Sequence, residues 1–188
     1  MESNFQKFLE TEQTDTFDPE TIAMFFVRKE VEKGDYFLRE GDLCRNVAFI
    51  ESGLLLYSRL DDKGLEVICD LARENNWVTQ YESFINQRAS PLSIKAIERT
   101  TLQVISHDRL QQLYAKFPTF ERVTRRIIEK VFIASLIRTN ELQVLKAEER
   151  YEKFARENPD LVQRIPQYLI ASYLGIAPQS LSRIRKKN

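Results

Sequence analysis

QYLIASYLGIAPQSLSRIRK, residues 167–186, reads as two short helices joined by a sharp turn. Ile170 and Leu174 are one helical turn apart, with Ala171 beside them. Gly175 then interrupts the pattern, and a glycine at a helix end takes a positive φ without a Cβ penalty. Ile176 follows as a plug. Pro178 lacks a backbone N–H and presets φ, which suits the first turn of a new helix. Leu181 and Ile184, three apart, give that second helix its buried side. Its other side shows Gln179, Ser180, Ser182, Arg183 and Lys186.

This is the pattern of a helix-turn-helix. A small Ala171 lets the two helices approach, and the second is free to enter a major groove with its N-terminal residues first. Arg suits the paired acceptors of guanine and Gln the adenine edge. The reading therefore assigns base contacts to Gln179, Ser180 and Arg183. Phosphate contacts fall to Arg164, Ser182, Arg185, Lys186 and Lys187. From Leu161 to the end there is no Asp or Glu, the bias that a phosphate-facing surface needs. Over the whole chain 28 Lys and Arg balance 28 Asp and Glu, so the basic end is a local feature.

The 188 residues allow one or two domains with a real core. No apolar run is long enough to span a bilayer. The N-terminus, MESNFQKFLETEQTDTF, is acidic and has no apolar signal core, so a cytoplasmic protein is expected. Cys44 and Cys69 make neither a disulfide framework nor a metal-ligand spacing, and no metal or cofactor is expected. One histidine, His107 at a strand end, argues against an enzyme built on a metal-binding roll, which needs several His and carboxylate ligands.

Upstream, Phe5, Phe8 and Leu9 share one helical face, and Ile22, Phe25 and Phe26 another. Asp18-Pro19-Glu20 is a helix start, with Asp as cap and Pro in the first position. From Val27 to about Ser106 the period becomes that of strands. VRKEVEKGDYFLREGD alternates and is punctuated by Gly34 and Gly41. NVAFIESGLLLYSRLDDKGLEVICDL gives strands joined by the hairpin turn Asp61-Asp62-Lys63-Gly64, with Gly53 breaking the preceding run. Residues 93–96 and 101–106 supply two more strands. Short, closely spaced strands argue an antiparallel, jelly-roll-like β-roll.

Residues 73–91, RENNWVTQYESFINQRASP, interrupt the strands as a polar and aromatic insert, with a short helix expected around 80–86. Over the mouth of a roll such an insert is a usual place for a ligand. Trp77, Thr79, Gln80, Tyr81 and Ser90 are the candidate effector pocket.

Pro118 opens a long helix. Val123, Ile127, Val131 and Ala134 form one apolar stripe, and Ile128, Phe132 and Leu136 a second. A helix apolar on two sides must be covered on two sides. A second subunit related by a two-fold axis is the simplest cover; C-terminal helices of the same chain are the other. Apolar density drops near Thr139-Asn140, read as a hinge. Tyr151, Phe154 and Ala155 then face inward on a helix that Asn158-Pro159 stops. Three regions result: a sensor roll at 1–117, a dimerisation helix and hinge at 118–140, and a DNA-binding domain at 141–188. The fold class is α+β.

KGDYFLREGD with NVAFIESGLLLYSRLDDKGLEVICDL, the long helix, and EERYEKFARENPDLVQRIPQYLIASYLGIAPQSLSRIRKK together resemble the Crp–Fnr family of bacterial transcription regulators, closest to Bacteroidetes-type members. The resemblance implies a homodimeric, signal-responsive protein with double-stranded DNA as partner, and contact with RNA polymerase. It also implies base contacts at Gln179, Ser180 and Arg183. There are departures. Cyclic-nucleotide binders of the family carry a Gly-Glu pair and then an Arg-Ser pair in the insert; this chain has Thr79-Gln80 and Ser90-Pro91. Without that Arg a buried phosphate has no charge-assisted partner, so an unknown small-molecule effector other than a cyclic nucleotide is expected. Arg88 stands two residues off. Two separated cysteines do not supply an iron–sulfur cluster. Family members often add a β-hairpin wing after the second helix; ending at Asn188, this sequence is read as wingless. Pro178 stands where other members often place a base-contacting Arg, so the preferred DNA sequence should differ. The alternative function is a roll that binds a partner protein, its helical end serving only to pack.

Overall fold

In the computed structural model, residues 3–12 and 18–187 are described; the side chain of Lys187 lies outside them. The chain forms α1 (Asn4–Thr11), α2 (Pro19–Ala23), β1 (Val27–Val31), β2 (Tyr36–Leu38), β3 (Asn46–Ser52), β4 (Leu54–Leu60), β5 (Glu66–Arg73), β6 (Trp77–Val78), α3 (Tyr81–Asn86), β7 (Ser93–Ala96) and β8 (Thr100–Ser106). It continues through α4 (His107–Lys116), α5 (Pro118–Val144), α6 (Ala147–Glu157), α7 (Pro159–Arg164), α8 (Gln167–Tyr173) and α9 (Pro178–Lys187). Two compact units divide it, Met1–Arg126 and Ile127–Asn188.

The first unit is an antiparallel β-roll of two four-stranded sheets, ordered β1-β8-β3-β6 and β2-β7-β4-β5. Successive strands cross between the sheets. Thus β3 and β4, and likewise β7 and β8, are neighbours in sequence but lie in different sheets. Only β4 and β5 close the expected hairpin, with Gly64 at φ +75° in its turn.

Gly53 makes the β3–β4 crossing possible. Its φ is +102°, and a Cβ built there would lie 2.4 Å from Thr100 Oγ1 and 2.8 Å from the Arg99 carbonyl. Only glycine tolerates both that backbone and that approach. Ile50, Leu54, Leu55, Ile94, Leu102 and Ile105 are wholly buried in the roll, and Phe49, on the opposite face of β3 from Ile50, is buried under α1. Outside the first sheet, α1 lays Phe5 and Phe8 against Phe49 and Trp77. Ser3 caps α1 and Asp18 caps α2, where Pro19 takes the first helical position.

Three expectations change. The insert at 73–91 is not free of strand, because Trp77 and Val78 pair with Phe49 and Ala48. A two-residue strand is too short to show a period. The hinge read near Thr139-Asn140 falls inside the long helix, which runs on to Val144; Lys146 takes the N-cap position of the helix that follows, its N–H donating to Glu149. The segment after Asn158 is itself a helix, with Pro159 at its start. Among the described residues, no helix is long and apolar enough to cross a membrane.

Candidate nucleic-acid interface

Helix α8 ends as its glycine requires. The Ile176 N–H donates to the Ala171 carbonyl at 2.9 Å, and the Gly175 N–H to the Ser172 carbonyl at 3.1 Å. With Gly175 at φ +62°, this pair of bonds reverses the chain within two residues. Ala177 then accepts from the Ser180 and Leu181 N–H groups at 2.9 and 3.0 Å, and α9 begins at Pro178. The missing N–H of Pro178 is one that no helix would have bonded.

Ala171, Leu174 and Ile176 are buried at the turn, and Leu181 and Ile184 anchor α9 beneath it. Ile165, Leu169 and Ile170, with Tyr151 and Phe154 of α6 and Leu161 of α7, complete this small core. Burying Leu181 and Ile184 leaves their opposite face outward. Gln179, Ser180, Ser182, Arg183 and Lys186 are all exposed, and Arg185 is half-buried. Arg164, expected on phosphate, lies 3.3 Å from Asp160 one turn back on α7.

Two arginines unmarked in the sequence hold this turn. Arg150 of α6 donates from Nε to the Leu174 carbonyl at 2.8 Å, from one terminal nitrogen to Leu145 at 2.7 Å, and from the other to Gly175 at 3.2 Å. Arg138 of α5 donates to the Tyr173 carbonyl at 3.0 Å, and its guanidinium lies 3.9 Å from the centre of the Tyr173 ring. Lys153 is paired with Glu141, a hydrogen bond that raises its pKa. Leu145 apart, which precedes Arg150 by five residues, these partners are distant in sequence, so no local signal marks them. Tyr168, exposed at the start of α8, was also not singled out. Its signal is phase: it stands opposite Leu169 and Ile170.

The candidate effector residues do not form one site. The Trp77 ring packs among Phe5, Phe8, Phe26 and Phe49, and its indole nitrogen is buried without a hydrogen-bond partner. Gln80 caps α3, and Tyr81 is exposed. Ser90 is buried and donates to the Leu92 carbonyl at 2.6 Å. Thr79 is engaged by the Tyr57 hydroxyl, which accepts from its N–H and donates to its carbonyl, both at 3.2 Å. Thr79 Oγ1 donates to the Asn46 carbonyl at 3.0 Å. Burial pushes the Tyr57 hydroxyl pKa strongly upward, so it remains a neutral donor. Arg88 points into solvent. The groups of Thr79 and Ser90 that would meet a phosphate are thus bonded within the chain, and no buried cation accompanies them. These residues do not fit a cyclic nucleotide.

On α5, Phe120 and Val123 are buried in the first unit, which leaves Val123 unavailable to a partner. Beyond it Val131, Phe132 and Leu136 are 59%, 62% and 55% exposed, as are Ile133 and Ile137 to a similar degree. Ile127 is half-buried and Ala134 exposed.

The fold is thus an antiparallel roll, a long helix and a helix-turn-helix whose second helix is exposed on one face. Residues 28–117 match the cyclic nucleotide-binding domain family. The transcriptional activator protein Anr of Pseudomonas protegens is 25% identical over 169 residues, covering 83% of this chain and 68% of that protein. Among solved structures, FixK2 from Bradyrhizobium japonicum superposes with a TM-score of 0.74 at 15% identity, over 86% of this chain and 83% of that one. The c-di-GMP responsive regulator CLP of Xanthomonas campestris gives 0.72 at 18% identity, over 89% and 88%. The roll thus matches the cyclic nucleotide-binding domain family, and the chain as a whole is similar in sequence to Anr and in fold to solved regulators of the Crp–Fnr type.

Proposed function

We propose that the protein is a sequence-specific, DNA-binding transcription regulator that acts as a cytoplasmic homodimer and whose roll takes no cyclic nucleotide. One observation carries this reading: α9 is pinned by Leu181 and Ile184 while Gln179, Ser180 and Arg183 project from its other face. Two such helices, set about 34 Å apart, reach successive major grooves on one side of a duplex. Base edges fall to Gln179, Ser180 and Arg183; phosphates fall to Ser182, Arg185, Lys186 and Lys187, with Arg164 joining if it leaves Asp160. The exposed tip of Tyr168 adds a hydroxyl on the helix that crosses the backbone. The dimer is supported by the apolar residues of α5 from Ile128 to Ile137, which this chain leaves in solvent. RNA polymerase is the partner such a regulator would recruit or block.

CLP of Xanthomonas is described as c-di-GMP responsive. That ligand also presents phosphates, and the bonded state of Thr79 and Ser90 argues equally against it here.

Substitution of the face residues tests the assignment of roles. Arg183→Ala should relax base preference, costing about 1–3 kcal/mol at one base position. Lys186→Ala should weaken all sequences alike and lower the salt slope by about one. Anisotropy titrations on specific and scrambled duplexes separate the two. Equal losses on every duplex from both changes would overturn the role assignment. A roll that only docks a partner protein would show no salt-dependent DNA affinity at all.

A further inference from the structure

Arg150 of the helical unit makes bonds that have no place in reading bases or holding phosphates. Its guanidinium touches the C-terminal ends of two helices at once. One nitrogen holds the Leu145 carbonyl, just past α5, while the other two hold Leu174 and Gly175 at the turn before α9. A helix C-terminus presents unbonded carbonyls and the negative end of the helix dipole. Two such ends brought together repel unless a cation lies between them. A planar guanidinium with its donors in a fixed fork suits this place, and a lysine ammonium does not. Arg138 adds a second tie from α5 itself, through the Tyr173 carbonyl and ring. Tyr173 in turn packs on Phe154 of α6 at 5.7 Å.

We propose that Arg150, seconded by Arg138, is a positioning residue for DNA recognition: it staples the end of α5 to the turn of the helix-turn-helix, so that α9 is carried as one body with α5. Without the staple, α8 and α9 keep their own core through Ala171, Ile176 and Leu181 but lose their fixed direction relative to α5. The spacing of two recognition helices across a dimer depends on that direction. This inference rests on the proposed DNA-binding function for its consequence, though not for its structural content.

The test uses the full-length chain with Arg150→Ala, Arg150→Lys and Arg138→Ala. The probe is duplex DNA recovered from a random pool by the wild-type protein. At a temperature well below unfolding, Arg150→Ala should lose about tenfold or more in affinity with an unchanged salt slope, because no phosphate contact is removed. Arg150→Lys keeps the charge but not the reach to three carbonyls, so it should stay nearly as weak. Arg138→Ala should fall between. Wild-type affinity in Arg150→Ala, full recovery in Arg150→Lys, or a salt slope lower by about one would each overturn the proposal; the last would put Arg150 on a phosphate.

Amide hydrogen exchange gives a reading independent of DNA. The Ile176 and Gly175 N–H groups should exchange about tenfold faster in Arg150→Ala, while Phe49 in the roll is unchanged. Unchanged exchange at the turn sinks the staple even if DNA binds. Faster exchange together with wild-type chains that ignore DNA would instead sink the DNA-binding function and leave the staple standing as architecture alone. Should Arg150→Ala unfold the helical unit, Arg150→Lys and Arg138→Ala carry the same readouts.

Discussion

Phe49, Leu55, Ile94 and Leu102 of the roll are wholly buried within one chain, whereas Val131, Phe132 and Leu136 of α5 stand in solvent. Both regions are comparably apolar in sequence. The roll's strands close on each other and need no further cover. Helix α5 after Arg126 has an apolar surface wider than one stripe, and nothing in its own unit covers that surface. An apolar face left uncovered over several helical turns marks an association surface. The roll is therefore complete as a single chain, whereas the helix is left with a face that the proposed second copy would cover.

The contrast breaks most visibly in the core. Phe49→Ala removes a side chain buried between the first sheet and α1, against Phe5, Phe8 and Trp77, and should cost about 3–5 kcal/mol in a thermal or denaturant melt. Assembly, read by sedimentation on whatever fraction stays folded, should persist. The reverse holds on α5. Phe132→Glu with Leu136→Glu should weaken self-association on the order of 100-fold while the melt of the roll barely moves. A wild-type chain that sediments as a monomer at micromolar concentration would erase the contrast. A smaller and sharper effect belongs to Gly53→Ala. Positive φ and the clash with Thr100 should together cost about 1–3 kcal/mol, through the β3–β4 crossing alone.

The legible parts of the fold are those with local causes. Asp18-Pro19 announces α2, Gly64 announces its hairpin, and Gly175 with Pro178 brackets the turn between α8 and α9. Which sheet each strand joins has no local cause. The separation of β7 from β8, and of β3 from β4, depends on Gly53 meeting Thr100 across 46 or more residues of sequence. The end of α5 is decided in the same way. Apolar density falls at Thr139, yet Arg138 and Glu141 on either side are tied to Tyr173 and Lys153, and the helix continues. At the proposed DNA-facing site, helical phase alone put Gln179 and Arg183 outward. For Trp77, residue type suggested a ligand's neighbour, but its strand pairing turns it toward α1. Arg150 gave no signal because two of its three acceptors, Leu174 and Gly175, become neighbours only after folding.

Selection of bound duplexes from a random pool by the purified full-length protein, followed by titration of the winner over a range of salt, addresses the proposed pair of recognition helices most directly. Enrichment of a two-fold related motif is expected, its half-sites about one helical turn apart, with affinity falling steeply as salt rises. A pool that emerges without a shared motif, bound weakly and without dependence on salt, would contradict it.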